Sequence, residues 1–403
     1  MIAMMVLAAA LRLVSVGSAY DYFIDEGFYL GLGTSVRQGH IPPHFPSGWG
    51  NTSQAFLLHP PGFFVLLAIW QTVTRPGGDI FHQLYVARGL NIALAVVTTG
   101  LLYCLGRRLG GWRTGFVAAL LFALDPFILR QNGRLLLETA TLTWVLAGFL
   151  VLIGLAQGRS RHPRVAAAGA GLLFGAAILT KDMAIIETLG ALVVLGIFGW
   201  GIPRRLAVMS AVFSAIPYTI YVGSCAAQGL LVPLWLVKSY DLRRMLGLVQ
   251  ITGFNRPGSV SLASTLWSDI GSFGLSYLLV ALGVLAAVPL LRSGRDDYRV
   301  VGVFVASAAA LLGYAVLFGT IEEQFLYFLS VPAVISASVV GTEMHRRLRL
   351  AAEGRSRGRV VLVSLLVAAC GWNLAVWVQT RTVPDNGTQR AVAWIGSHVP
   401  GTS

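Results

Sequence analysis

Cysteine, lysine and charge of either sign are scarce in this chain, and each scarcity excludes something. Cys104, Cys225 and Cys370 are the only three cysteines, all inside or at the edge of apolar runs, so neither a disulfide framework nor a cysteine-based metal site is built here. Charged residues make up 12% against 56% hydrophobic, with a mean hydropathy of +0.72. A soluble domain carries about 25% charged residues, so this is a polytopic membrane protein. The alternating pattern of a membrane β-barrel is also missing. In its place apolar runs of roughly 17 to 25 residues recur, each able to cross ~30 Å of hydrocarbon as a helix.

Lysine occurs only at Lys181 and Lys238, so nearly all the basic charge is arginine. Seventeen of the 30 basic residues fall in five short clusters, at 107–113, 159–164, 204–205, 292–299 and 346–359. That clustering is what the positive-inside rule produces. The formal charge of +13 therefore reports topology, and with no recognised motif beside it a nucleic-acid partner is set aside.

Placing all five clusters on one side orders the rest. Met1 to Ala19 lacks a basic n-region and carries Arg12 mid-span, so it reads as a first membrane helix rather than a signal peptide; the missing positive flank points to a natural start further upstream. Residues 20–83 follow as a first external loop. Its apolar run Pro60 to Val73 is too short to cross comfortably and, if it crossed, would put Arg107 and Arg108 on the wrong face. It is expected to lie along the interface, where Trp70 suits it. Further spans are expected at about 84–105, 114–129, 135–156, 165–180, 184–200, 206–225, 269–291, 300–319, 324–341 and 360–379, eleven in all. The chain divides into a transmembrane domain, 1–380, with a second external segment at 226–268, and an external C-terminal tail, 381–403.

On this topology the polar residues gather outside. Tyr20 to Tyr29 contains Asp21, Asp25 and Glu26 at a helix end, where ionisable groups are costly enough to imply a task. His59 precedes Pro60-Pro61-Gly62. Arg130, Asn132, Arg134 and Glu138 lie between two spans, Lys181 and Asp182 in a turn with Glu187 just beyond, and Lys238, Arg243, Arg244 and Arg256 on the second external segment. Carboxylates and cations on one membrane face suit a lipid substrate with an anionic head: cations hold a phosphate while a carboxylate takes a proton from an incoming hydroxyl. A nucleotide sugar fits poorly, because no soluble nucleotide-binding domain is present.

Plainer readings stand beside these. Arg134 and Glu138, four apart, could form only a structural ion pair, His59 could be a turn residue, and Glu187 could pair with Lys181. Arg243 and Arg244 could meet anionic headgroups. Arg12 and Arg88 read as structural cations contacting backbone or an acid. His40 and His44 have the spacing of a helical metal pair, but Pro42-Pro43 between them prevents an ordinary helix.

Asp25-Glu26-x-x-Tyr29, His59-Pro60-Pro61-Gly62 and Arg134-Leu135-Leu136-Leu137-Glu138 resemble, in order and spacing, motifs of the protein O-mannosyltransferase-like family, membrane glycosyltransferases of the C fold with the lipid A aminoarabinose transferases as relatives. The Leu179-Thr180-Lys181 turn looks like theirs too. The resemblance implies an all-α polytopic glycosyltransferase C fold and an inverting transfer of a sugar from a polyprenyl-phosphate carrier to a protein, lipid or glycan hydroxyl on the extracytoplasmic side. By that analogy Asp25 is the general base, with Glu26 beside it and Glu138 as a second acid. Arg134, Lys181 and Arg243 or Arg244 bind the leaving phosphate, and Tyr29 and His59 belong to the substrate site. Some membrane glycosyltransferases use a divalent ion, so the resemblance leaves a metal open. Two departures stand out. Glu322-Glu323-Gln324-Phe325 occupies the place of a basic-aromatic pair, and Trp394-Ile395 with Pro400 looks like the opening of a soluble external portion at which this chain stops. The arginine-, alanine- and glycine-rich composition looks like that of a high-GC bacterium, hence a plasma-membrane enzyme using an undecaprenyl- or decaprenyl-type carrier. The competing readings are a secondary transporter or lipid flippase, which would show repeat symmetry and broken helices near the midplane, and an inactive partner subunit of the same fold.

Overall fold

The computed structural model describes all residues except 18–21, 49, 250–257, 259, 319–322, 351–355, 384–385 and 400–403. Tyr20, Asp21, Arg256, Glu322, Arg355 and Pro400 thus lie outside the described residues, as do the side chains of Glu323 and Gln324.

The described chain is helical throughout, in the order α1 (Ile2–Leu13), α2 (Ile24–Arg37), α3 (Gly62–Thr74), α4 (Ile80–Gly110), α5 (Trp112–Leu124), α6 (Pro126–Asn132), α7 (Leu137–Ala156), α8 (Pro163–Thr180), a π-helical turn (Ile186–Gly190) running into α9 (Ala191–Phe198), α10 (Arg204–Ala227), α11 (Leu231–Met245), α12 (Leu262–Ser268), α13 (Ile270–Phe273), α14 (Ser276–Leu291), α15 (Asp296–Phe318), α16 (Glu323–Leu350), α17 (Ser356–Thr382) and α18 (Gly387–His398). Every one of the eleven expected spans has a helical counterpart, but they are not equal. Among the described residues seven helices are long and apolar enough to cross a membrane, or eight if the bent pair α5–α6 is one span.

Three expected spans are shorter than their apolar runs. The first ends at Leu13 rather than Ala19, where Val14 turns extended and Ser15 takes a positive φ of 53°. The span expected at 184–200 begins with the π-helical turn, and that expected at 269–291 starts as a continuous helix only at Ser276. The span expected at 114–129 is broken by a 68° bend. Its cause is local: Pro126 has no N–H to continue the ladder, and Asp125 caps the new helix by accepting from Ile128 N at 2.9 Å and from Ser276 Oγ at 2.8 Å.

The expected first external loop carries two helices, α2 and α3, joined by a non-helical segment. α3 is 13 residues long and packs inward through Phe63, Phe64 and Leu67, all fully buried. Trp70 donates to the Val86 carbonyl of α4 at 2.8 Å, so its indole is tied to protein, while Ile69 and Val73 face outward.

The two ends of the bundle differ in chemistry. At one end Arg108 donates to the Leu150 carbonyl at 2.7 Å, Gln157 to the Arg108 carbonyl and to Asp297, and Arg295 to the Leu109 carbonyl and Asp297. These bonds join three of the arginine-cluster loops, as the charge-derived topology requires. Lys181, at the other end of α8 from the second cluster, and the candidate residues that share a cavity with it lie at the opposite end. Between the ends lies a large apolar core, including Phe149 stacked on Phe304 at 4.0 Å.

Two buried arginines hold the bundle together. Arg12 donates to Asn132 Oδ1 at 3.0 and 2.8 Å and to the Ala8 carbonyl, and Asn132 passes hydrogen bonds on to Thr139 and Tyr327. Arg88 meets an acid, described below. An ion left uncompensated at these depths would cost several kcal/mol; both guanidinium groups are instead satisfied by polar partners.

Candidate functional site

Asp25 and Glu26 fall in the first turn of α2, where acids also complement the helix dipole. Successive residues on a helix point about 100° apart, so the two carboxylates go separate ways. Glu26 turns inward and is fully buried. Its oxygens accept from Arg88 Nε and Nη2 at 2.8 and 2.7 Å, from Phe23 N at 3.1 Å and from Leu135 N at 2.8 Å. Asp25 turns the other way, half-buried, onto the wall of a cavity, with Tyr29 Oη one helical turn on donating to it at 3.5 Å.

That cavity has a volume of about 450 Å³. His59, Lys181 and Arg244 supply its basic wall, Asp182 and Asp241 add acids, and Phe23, Phe28 and Phe325 close it with rings. The turn before α3 explains how His59 arrives there. Gly62 sits so close to the end of α8 that an added Cβ would come 2.6 Å from the Leu179 carbonyl oxygen. Only glycine allows α3 to dock directly beside Lys181. The ring of His59 meets Tyr29 edge-on at 6.1 Å. Burial, aided by the nearby charges of Lys181, Lys238 and Arg244, holds its pKa well below the usual imidazole range, so it is a neutral ring at pH 7.

Lys181 is buried and ion-paired with Glu138. Glu138 lies outside the cavity lining, behind Lys181, and its Oε2 has no hydrogen-bond partner among the described residues. The plainer i, i+4 pairing of Arg134 with Glu138 is not how this acid is used: Arg134 precedes α7, and the partner of Glu138 is Lys181 from the end of α8. Arg134 itself is buried beneath Phe23, its guanidinium 5.4 Å from the ring centre, and it does not line the cavity. Glu187, for which a pairing with Lys181 is one of two readings of the sequence, is fully buried in the π-helical turn with neither oxygen partnered among the described residues.

The second external segment contributes α11. Lys238 pairs with Asp182 and donates to the Leu58 carbonyl at 2.6 Å, pinning the helix to the turns that carry Lys181 and His59. Asp241 and Arg244, one turn apart on the same face, then enter the cavity. Burial raises Asp241 to about 6, with Lys238 opposing the rise, and it raises Asp182 against the same lysine. Arg243 is exposed, bonded to the Ser239 carbonyl of its own helix at 3.3 Å, and does not reach the cavity. Asp241 was missed by sequence reasoning, although the three-residue spacing of Lys238, Asp241 and Arg244 was a legible helical face.

A second cavity of about 700 Å³ adjoins the first and shares Asp25, Phe28, Phe56 and Leu58 with it. The remainder of its lining, including Phe45, Ala55, Leu57, Leu230 and Val237, is apolar apart from Gln54 and the hydroxyl of Tyr240. His40 and His44 stack ring on ring at 4.2 Å. Among the described residues no three His, Cys, Asp or Glu side chains come together as a metal ion would need.

No protein-family model matches the sequence, and no curated protein does. Solved structures do match its shape. The archaeal oligosaccharyltransferase AglB from Archaeoglobus fulgidus, in complex with an inhibitory peptide and a dolichol-phosphate, aligns with 99% of this chain at a TM-score of 0.63 and 14% identity, the chain spanning 58% of its length. ArnT from Cupriavidus metallidurans, bound to undecaprenyl phosphate, aligns with 94% of the chain and 75% of its own at a TM-score of 0.61 and 14% identity. The arabinofuranosyltransferase AftD from Mycobacteria aligns with 98% of the chain and 28% of its own, at a TM-score of 0.50 and 18% identity. The chain therefore has the C fold of membrane glycosyltransferases.

Proposed function

We propose that this protein is a membrane glycosyltransferase that moves a sugar, with inversion, from a polyprenyl-phosphate carrier to a hydroxyl acceptor at the extracytoplasmic face of a bacterial plasma membrane. The observation that carries the reading is the cavity at the end of the bundle away from the arginine clusters, where Asp25 shares the lining with Lys181, Arg244 and neutral His59, and where Asp182 is already ion-paired with Lys238. In this reading Asp25 accepts the proton of the acceptor hydroxyl as its oxygen attacks the anomeric carbon. The bond from that carbon to the phosphate oxygen breaks, and the electron pair leaves with the polyprenyl phosphate. Lys181 and Arg244 stabilise the charge that develops there; phosphate so neutralised leaves without a general acid.

The other candidates take supporting roles. Glu138 orients Lys181, Tyr29 and His59 shape the sugar site, and Glu26 holds α2, α4 and the segment before α7 in register. Arg134 supports Phe23 from beneath, and Arg243 is left to headgroup or solvent.

Transfer of radiolabelled sugar from a panel of polyprenyl-phosphate sugars to membrane acceptors, wild type against Asp25→Asn, tests the reading. Loss of a general base costs about 10² to 10⁴ in rate, so the variant is expected to retain donor binding and lose transfer by that factor. Transfer unchanged by the substitution would remove Asp25 as base; no transfer by folded wild type with any donor would sink the transferase.

A further inference from the structure

The second cavity adjoins the candidate site through Asp25, yet among the described residues its lining carries no cation. We infer that it is the acceptor's subsite, and that the acceptor is a hydroxyl borne on a hydrophobic body, a lipid alcohol or glycolipid, rather than a wholly polar sugar chain or peptide. The inference rests on the transferase reading and deepens it.

The argument is one of sides. Inversion needs the nucleophile and the leaving phosphate on opposite faces of the anomeric carbon. The cations that would hold the phosphate, Lys181 and Arg244, line only the first cavity, whereas Asp25 stands on the wall common to both. On this reading a hydroxyl in the second cavity gives its proton to Asp25 while the phosphate rests against Lys181 in the first. An isoprenoid tail attached to that phosphate would have to run past Asp25 to fill the same space, blocking the nucleophile's approach. In the same reading the tail lies outside the second cavity.

The lining then sets the acceptor's chemistry. Apart from Asp25 and Gln54, the walls are Phe28, Phe45, Phe56, leucines, Ala55, Pro233, Val237 and the ring of Tyr240. A polar body here would lose its water without compensating bonds, while each buried methylene is worth about fourfold in affinity. Gln54 and Tyr240 are the neutral hydrogen-bonding side chains of the lining among the described residues, and Gln54 suffices to orient a single hydroxyl-bearing headgroup.

The test uses the full chain in lipid nanodiscs, a radiolabelled polyprenyl-phosphate sugar, and alkyl glycosides of glucose, mannose and arabinose in matched octyl and methyl forms below micellar concentration. Octyl acceptors are expected to exceed their methyl partners in kcat/KM by at least about tenfold. Ala55→Trp should abolish that advantage while leaving the donor KM and slow donor hydrolysis by water unchanged. Val237→Phe, filling the cavity from α11, is a second variant with the same expected outcome should Ala55→Trp fail to fold. A raised donor KM in either variant would mean that the tail lies there and overturn the inference, as would equal use of octyl and methyl forms. Absence of any donor turnover in wild type, transfer and hydrolysis alike, would overturn the transferase reading beneath it.

Discussion

Glu26→Gln separates two roles that the adjacent acids share on paper. In the structure Glu26 accepts four hydrogen bonds, two of them from Arg88, which is 62 positions away, and one from Leu135, which is 109 away. Glutamine keeps the shape but loses the charge and turns an NH₂ toward at least one donor. Breaking a buried ion pair by changing one partner costs about 3 to 5 kcal/mol, because the other charge is left uncompensated. Arg88→Met should cost a similar amount. The double variant removes both charges at once, so it is expected to be less destabilised than the sum of the two by about 1 to 3 kcal/mol, a coupling that distant, independent sites do not show. Equilibrium unfolding in mixed micelles, run as a double-mutant cycle, measures it. The two single changes adding within about 0.5 kcal/mol would refute the structural assignment of Glu26. So would a Glu26→Gln protein of unchanged stability that has lost transfer, since that is how a catalytic acid would behave.

Three further outcomes follow from the same geometry. Arg244→Ala is expected to raise the donor KM by about tenfold or more, from the loss of one charged hydrogen bond, and Arg243→Ala by less than about twofold, as for an exposed charge; equal effects would mean that both act on headgroups. Lys181→Met should weaken donor binding by about 10- to 100-fold, and Glu138→Gln should do so more mildly while leaving the rate at saturating donor intact, whereas a Glu138 that acted on the reacting atoms would lose that rate; donor titrations of single-turnover transfer distinguish the two. Asp241 titrates at about 6 in the fold against an ordinary value near 3.8. Its carboxyl is favoured in the neutral form, so its contribution to stability is full below about pH 4 and is lost as the pH rises through about 6. Thermal melts from pH 4 to 7 should show that slope in wild type and its flattening in Asp241→Asn; parallel curves would place Asp241 in water.

Much of the site was legible before any coordinates. Asp25, Tyr29, His59 and Lys181 meet at one cavity because each lies at the same end of the spans that deliver it, and the arginine clusters already said which end that was. Arg12 and Arg88 could be read as structural cations from their depth alone. Partners were another matter. Glu138 pairs across 43 positions with Lys181 and Lys238 across 56 with Asp182, and no local spacing encodes such distances. The break at Asp125-Pro126 had a local signal in the proline, yet the apolar run on either side of it favoured one continuous span.

Composition and charge pattern alone determined that this is a helical membrane protein, with its basic loops at one end and its reactive candidates at the other, because hydropathy and the cost of burying charge act on the chain residue by residue. Only the tertiary structure decided which of two adjacent acids faces the cavity, which of two adjacent arginines on α11 reaches it, and that an apolar chamber shares the wall carrying Asp25. A helix turns about 100° per residue, so neighbours in sequence look in different directions. What each one meets is set by helices that arrive from distant parts of the chain.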